Sequence, residues 1–359
     1  MVRSYADMSL LIGAKLADTA QAEFTSQLVN YQIKESLKEF STHKPHIVML
    51  PFKIESRYGI DVTGTADKLT DTVKSQFVAA DGTDEKVVHN ITQNTWAVIT
   101  ARDSADVCSI SDDIMNANDA YEIYNKKCMN NKQIYIGGIL PQITDIKSIE
   151  YPLGEKLSWD VCHEGVVQLD VRNIQDSNAN TAYVTNLPNV DVWVRVKRPH
   201  ILAQMTDWAG AVSGTTAGVK AATTMNIISV ASAATIESGT EFFIQRHRQN
   251  YIVTTNVTAD TAGAATLTFY PPLEATAATA MVVTFTKSTL NPQEEEMFAD
   301  LVAGRLAANH GIKYIKTISI GGQTTWRNYT EWGRLKVDET LRKMKQESGW
   351  DSYKSYPRG

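Results

Sequence analysis

Cysteine is scarce in this chain: three in 359 residues, scattered at Cys108, Cys128 and Cys162. Neither a disulfide framework nor a thiolate zinc site is built from that number at that spacing. The expectation is free, inert thiols in a protein made in a reducing cytoplasm. Long apolar runs are missing too. One short run near the start, Leu10-Leu11-Ile12, is broken by Gly13 and Lys15 and is too short for a signal-peptide core. Nothing later approaches the ~20 apolar residues of a membrane span, so the chain reads as soluble and not exported by a conventional route. Excess positive charge is also absent, since 35 Lys and Arg against 40 Asp and Glu leave a net charge of −5. A protein that grips phosphates over its whole surface is normally basic, which disfavours general nucleic-acid binding but not a surface that DNA slides past. The Asn-x-Ser/Thr matches at Asn90, Asn256 and Asn328 are then chance occurrences.

Catalytic constellations are lacking as well. There is no G-x-S-x-G elbow, P-loop, dinucleotide fingerprint or H-E-x-x-H. The seven histidines are dispersed. His43 and His46 stand three apart, but in a Pro-containing loop with no acidic or Cys neighbour in sequence, so loop histidines are expected there rather than ligands. Gly137-Gly138 and Gly321-Gly322 lack the spacing and following helix cap of a phosphate cradle and read as turns. Asp112-Asp113, near Asn116, Asn118 and Asp119, lack the regular ligand spacing of a calcium loop. The reading is of no enzyme, no cofactor and no metal site.

What is present is a globular composition, 43% hydrophobic and 21% charged, at a length that suggests two or three domains. Both ends read as helix. Tyr5 to Leu16 forms a short amphipathic segment. After the N-cap candidate Thr25, residues Val29, Ile33, Leu37 and Phe40 share one helical face. Pro45 and Pro51 bracket a β-like run, His46–Leu50. From about Gly59 to Thr286, β-branched and aromatic runs alternate with turn residues, the pattern of all-β modules. Strands are expected at Trp96–Thr100, Tyr121–Tyr124, Gln133–Ile139, Val166–Val171 and Asp191–Val196, and a small-residue linker at Ala209–Thr224. Helix returns at LNPQEEEMFADLVAGRLAANHG. Asn291 caps, Pro292 occupies the first helical position, Glu294 completes a capping box, and Phe298, Leu301, Val302 and Leu306 form the buried stripe. A last helix, Thr324–Ser348, carries Tyr329, Trp332, Val337, Leu341 and Met344 on its apolar side, followed by an aromatic, basic tail.

Glu85–Tyr124 also echoes Glu241–Phe285. In both, a strand leads to Gln-Asn and an aromatic (Trp96, Tyr251), then a β-run, a polar turn, a second β-run (Cys108–Ser111, Thr266–Phe269) and a final strand. The fold expected is α+β: a helical core built from N- and C-terminal helices, with two inserted small all-β modules of barrel or sandwich type. Its parts are 1–58 (helical core, N-terminal part), 59–150 (first β module), 151–208 (connecting strands), 209–287 (second β module), 288–347 (C-terminal helices) and 348–359 (tail).

This outline resembles the head–tail connector, or adaptor, proteins of tailed bacteriophages. The resemblance rests on Ser4-Tyr5-Ala6-Asp7 and Phe24-Thr25 leading into helix, on Leu290–His310 followed by Gly321-Gly322, and on Trp332-Gly333 within a basic amphipathic helix. The stretches Gly239–Ile244 and Thr266–Leu273 are similar to insertion domains of phage capsid and neck proteins. The large β insertions depart from the smallest adaptors, which are almost wholly helical. The resemblance implies a closed, heterologous ring of about twelve copies in the virion neck beneath the portal. Such a ring joins head to tail and continues a channel through which double-stranded DNA passes without sequence-specific binding. Its implied partners are the portal ring, other copies of the chain and the next neck or tail protein, with no membrane. The C-terminal helix and tail of such adaptors dock on the portal, which implicates Arg342, Lys343, Lys345, Trp350, Tyr353, Tyr356 and Arg358. A tail that orders on binding suits that role, and a frayed terminus is the plainer reading of the same residues.

Two alternatives stand beside it. In the first, the β modules form a virion-surface binding module for carbohydrate or capsid protein, with Trp96, Trp159 or Trp193 exposed, although alternation favours a core location for each. In the second, an enzyme assembles carboxylates or histidines from separate elements. Trp326 and Trp332 read as core at helical spacing, and Trp350 lies in the tail.

Overall fold

The computed structural model describes residues 3–55, 57–137, 143–151, 153–163, 165–171, 190–204, 209–213, 218–314 and 323–348. Two helices open the chain, α1 (Tyr5–Lys15) and α2 (Ser26–His43). Strands β1 (His46–Ile54), β2 (Tyr58–Ile60) and β3 (Lys68–Thr70) lead to one helical turn, α3 (Ala80–Thr83). Next come β4 (Val87–Asn90), β5 (Thr95–Arg102), β6 (Val107–Ile110), β7 (Ala120–Tyr124) and β8 (Gln133–Tyr135). They are followed by β9 (Asp145–Glu150), β10 (Lys156–Leu157), β11 (Trp159–His163), β12 (Val166–Leu169) and β13 (Val190–Arg198). Then follow β14 (Ala209–Val212), β15 (Thr224–Ile228), β16 (Thr235–Ile236) and β17 (Glu241–Ile244). The last strands are β18 (Asn250–Val253), β19 (Val257–Thr258), β20 (Ala265–Tyr270) and β21 (Val282–Phe285), before α4 (Pro292–Tyr314) and α5 (Gln323–Ser348). The fold is α+β. Among the described residues no helix is long and apolar enough to cross a membrane. Two compact units divide the chain, one of 1–47, 141–144 and 197–359, the other of 48–140 and 145–196.

In the first unit, a hydrophobic cluster joins α1, α2, α4 and α5 through Met8, Ile12, Val29, Ile33, Phe40, Phe298, Leu301, Leu306, Val337 and Met344. The helix starts are capped as their residues require. Ser4 and Asp7 form a reciprocal capping box on α1, and Thr25 Oγ1 accepts from the Leu28 amide on α2. At α4, Asn291 Oδ1 accepts from the Gln293 and Glu294 amides, while the Asn291 amide donates to Glu294. The α4 surface is buried more widely than a stripe: Met297, Ala299, Ala303 and Ala307 are covered along with Phe298, Leu301, Val302 and Leu306. Neighbours on several sides explain this, since α4 packs against α1, α2 and α5.

Strands β14-β15-β20-β18-β17-β21 close a six-stranded barrel in the same unit. Its interior holds Val212, Met225, Ile227, Phe242, Ile244, Tyr251, Leu267, Phe269, Val283 and Phe285. The expected linker at Ala209–Thr224 is corrected in part: Ala209–Val212 is a barrel strand paired with both β15 and β21, and Thr224 begins another. Small side chains there are outward or closely packed positions of a sheet, and composition does not separate these from a flexible spacer. A polar cluster lies beside the barrel. Glu241 Oε1 is 2.8 Å from His46 Nε2 and 3.3 Å from Arg198 Nη1, and Arg198 Nη2 donates to the Gly239 carbonyl at 2.7 Å. His200 Nδ1 is 3.0 Å from Thr289 Oγ1, and its ring lies 5.5 Å from that of His46. His46 therefore has an acidic partner after all, 195 residues away in sequence.

In the second unit, six strands pair in the order β2-β7-β4-β5-β6-β3. Position for position this is the barrel order β14-β21-β17-β18-β20-β15. Each contains the Greek-key arrangement of a three-strand meander with a fourth strand returning beside the first. The barrel closes because β14 pairs with β15. Between β2 and β3 no ladder forms. There the buried Asp61 carboxylate accepts from the Thr70 and Gly64 amides at 2.6 Å, and the Val62 amide donates to the Thr70 carbonyl. A buried ionic network ties β1 to α3: Arg57 donates to Glu55 through Nε and Nη2, and to Asp81 through both terminal nitrogens, with Lys86 Nζ 3.3 Å from Glu55. Two smaller sheets, β1-β13-β9-β10 and β11-β12-β8, complete this unit, with the ends of β1 and β13 continuing into the first.

His200 gives a pH dependence. Burial, and then the neighbouring His46, push its pKa down to about 4, so the neutral ring is the form that folds. The stability it supports is complete above the ordinary imidazole value of about 6.5 and is lost as pH falls towards 4, by up to about 3 kcal/mol. Urea unfolding of wild type and His200→Asn across this range tests it: the wild type is expected to lose more stability than the variant, and equal pH slopes would refute the assignment.

Candidate functional site

The residues singled out in the C-terminal region lie on or beyond α5, whose position is set by its packing on α4. Asp300 Oδ2 lies 3.8 Å from Lys336 Nζ, and Gly304 meets Gly333, so the two helices run antiparallel. Their backbones approach closely at that crossing. A Cβ on Gly333 would fall 2.6 Å from the Ala308 nitrogen and 2.7 Å from the Gly304 carbonyl oxygen, and one on Gly304 would fall 2.9 Å from the Gly333 carbonyl oxygen. Only hydrogen at both positions permits this separation. Below the crossing, Val337, Thr340 and Met344 are buried, while Tyr329, Trp332 and Leu341 are partly covered against the helical cluster. Tyr329 stacks on Phe24 at 6.3 Å and donates to the Leu16 carbonyl at 3.4 Å.

The opposite side of α5 is solvent-facing. Arg342, Lys343 and Lys345 are all exposed in its last turns. Lys343 Nζ is 2.8 Å from Glu339 Oε1, a hydrogen bond that raises the lysine pKa and lowers that of Glu339. No ion pair reaches Arg342 among the described residues. Some of this basic charge also suits the negative end of the helix dipole. Trp350, Tyr353, Tyr356 and Arg358 lie outside the described residues. The structure thus brings three of the seven singled-out residues together, on the exposed side of one helix. A shallow cleft of about 430 Å³ opens between α2 and α4, lined by Gln32, Glu35, Lys38, Glu39, Thr42, Arg305 and Asn309, with Arg305 paired to Glu39. Its lining mixes both charge signs without a focus for one ligand.

Elsewhere the chemistry is muted. Burial pushes the Cys108 and Cys128 thiols up to about 12, while Cys162 is exposed. Among the described residues no group of three His, Cys, Asp or Glu side chains could hold a metal ion. The tryptophans depart from expectation. Trp96 is 40% exposed, and Trp159 and Trp193 are only partly covered. In β5 the interior positions go to Ala97 and Ile99, and in β13 to Val192, Val194 and Val196, so alternation turns Trp96 and Trp193 to the other face. His89, which stands beside Trp96, and Glu122, which stands beside His89, carry no local sequence motif; the alternation in Thr95–Arg102 was the signal that could have located this face. No protein-family model, curated protein or solved structure matches the chain.

The helix crossing is open to a direct test. Gly333→Ala is expected to destabilise the protein by about 2 kcal/mol, because the added methyl meets backbone that has to move. Leu335→Ala, at an exposed position of the same helix, is expected to stay within about 0.5 kcal/mol of wild type in chemical denaturation. Equal stability of Gly333→Ala and wild type would contradict the crossing described.

Proposed function

We propose that this protein is a structural head-to-tail adaptor of a tailed bacteriophage, forming a ring beneath the portal and continuing the DNA channel. The observation that carries the reading is the exposed basic end of α5, mounted on a helix pair locked by Gly304 and Gly333. A docking element needs a fixed base and an exposed, charged outer face, and this helix has both. The distribution of the chain supports it further: segments from both ends build one helical cluster, while the barrel is inserted between α2 and α4. That leaves the bundle and the barrel as two different surfaces of one unit, and a closed ring requires two non-identical faces on each copy. In this reading Arg342, Lys343 and Lys345, continued by Trp350, Tyr353, Tyr356 and Arg358, engage the portal. The charges steer and orient the encounter while the aromatics anchor it. The mildly acidic whole-chain charge suits a channel wall that DNA passes without being held.

The test is native mass and negative-stain imaging of the purified protein, alone and mixed with its candidate portal ring. A ring of about twelve copies is expected, formed alone or on the portal. Removal of the residues after Ser348 is expected to abolish portal attachment. Arg342→Glu with Lys345→Glu is expected to weaken it at least tenfold, about 1.4 kcal/mol. A stable monomer that ignores the portal would overturn the proposal.

A further inference from the structure

A second surface, wholly within the six-stranded sheet of the second unit, is built differently from the basic end of α5. On the outer face of β5, β4 and β7, His89 on the middle strand stands directly opposite Trp96 on one side and Glu122 on the other. The His89 and Trp96 rings are stacked at 3.9 Å, with 12° between their planes. His89 Nε2 lies 3.1 Å from Asn94 Oδ1, an acceptor, so this nitrogen carries the proton, and the other ring nitrogen is buried without a partner. The imidazole is thereby held in one tautomer and one plane, and it supports the indole from one side. The Tyr124 ring, 5.8 Å from Trp96, closes the platform behind, and its hydroxyl donates to the Glu122 carboxylate. Burial, reinforced by Glu122, raises the Tyr124 pKa and keeps that proton on the phenol.

We propose that Trp96, His89, Asn94 and Glu122 form a binding site for a neutral pyranose sugar. A large aromatic ring that stays 40% exposed on a three-strand platform is costly in water and inexpensive to order, because its partner ring already restricts it. Sugars present a patch of C–H groups on one face and hydroxyls around the rim. The indole matches the first. The Glu122 carboxylate, an acceptor, and the exposed Asn94 amide, with donors remaining, match the second. Charge narrows the ligand class: no lysine or arginine stands in this row, or in the adjacent row of Tyr124, Val87 and Val98. Nucleic acid and other anions thus meet a carboxylate with no compensating cation, and are disfavoured. The site does not depend on the adaptor proposal, because none of its residues lies in the helical cluster.

Fluorine NMR of the full chain labelled with fluorotryptophan tests this. Trp96→Ala assigns the Trp96 resonance, and the probes are gluco-, galacto- and N-acetylglucosamine trisaccharides at millimolar concentration. At least one trisaccharide is expected to shift the Trp96 resonance saturably, with affinity at least tenfold weaker in Glu122→Gln, and the saturation-transfer signals of the same sugar are expected to vanish with Trp96→Ala. Far-ultraviolet circular dichroism of both variants is expected to match wild type. Glu122→Gln keeps the size and shape of the side chain, so a fold defect in Trp96→Ala alone does not decide the matter. Absence of a saturable shift with all three sugars, equal binding by Trp96→Ala, or a response to choline in place of sugar would each overturn the proposal. Loss of portal attachment on truncation, with the sugar response unchanged, would separate this site from the α5 surface.

Discussion

Burial of α4 on several sides at once is the constraint from which the first unit follows. A helix covered by α1, α2 and α5 draws its partners from both ends of the chain, so everything between α2 and α4 has to leave the bundle and return to it. The barrel satisfies this condition because its first and last strands, β14 and β21, are paired with each other, which brings its entry and exit together. The polar contacts around α4 follow the same logic. Arg3 donates to the buried Glu295 carboxylate through its backbone nitrogen at 2.7 Å, and Lys15 Nζ lies 2.7 Å from Asp300. Burial opposes the charge on Lys15, yet its hydrogen bonds to Asp300 and Glu296 outweigh that and raise its pKa. These contacts fix the register of helices that the apolar cluster alone would allow to slide.

Buried charge serves a similar purpose in each unit. Arg57 lies between Glu55 and Asp81 with almost no exposure, and Glu241 lies between His46 and Arg198. Removing such groups from water costs most of what their mutual attraction returns. Their effect is greatest on alternatives: any rearrangement that separated Arg57 from its carboxylates would leave a charge buried and unpaired. Each network therefore joins segments that no regular ladder connects, the β1 end to α3 in one case and the β1 start to β17 in the other.

The two six-stranded sheets show how one strand order supports different surfaces. In the barrel, β14 and β15 close the ring with main-chain hydrogen bonds; in the other module the Asp61 side chain and one amide bridge the same gap. The paired aromatics of the sequence echo also diverge. Tyr251 is fully buried, whereas Trp96 is exposed. Because strands have a period of two, a one-residue offset carries a side chain to the opposite face. Similar strings of residues thus built a core in one module and an aromatic outer face in the other.

Much of the local structure was legible in the residues themselves. The caps at Thr25 and Asn291, the Val29–Ile33–Phe40 face and the strands at Trp96–Thr100, Tyr121–Tyr124 and Asp191–Val196 all follow from short-range rules, because hydrogen bonding and periodicity act over a few residues. The basic side of α5 was visible for the same reason. Other features were not. The Ala209–Val212 strand has no side chains that announce it, and its pairing with Val282–Thr284 joins residues about seventy apart. The His46–Glu241 contact, the Gly304–Gly333 crossing and the row of Trp96, His89 and Glu122 belong to the same class. Sequence by itself determined where helices and strands start and which sides are apolar. Which strands became neighbours, which of two faces met water and which charges met across long separations were decided only in the folded chain, because those energies exist only once distant segments have come into contact.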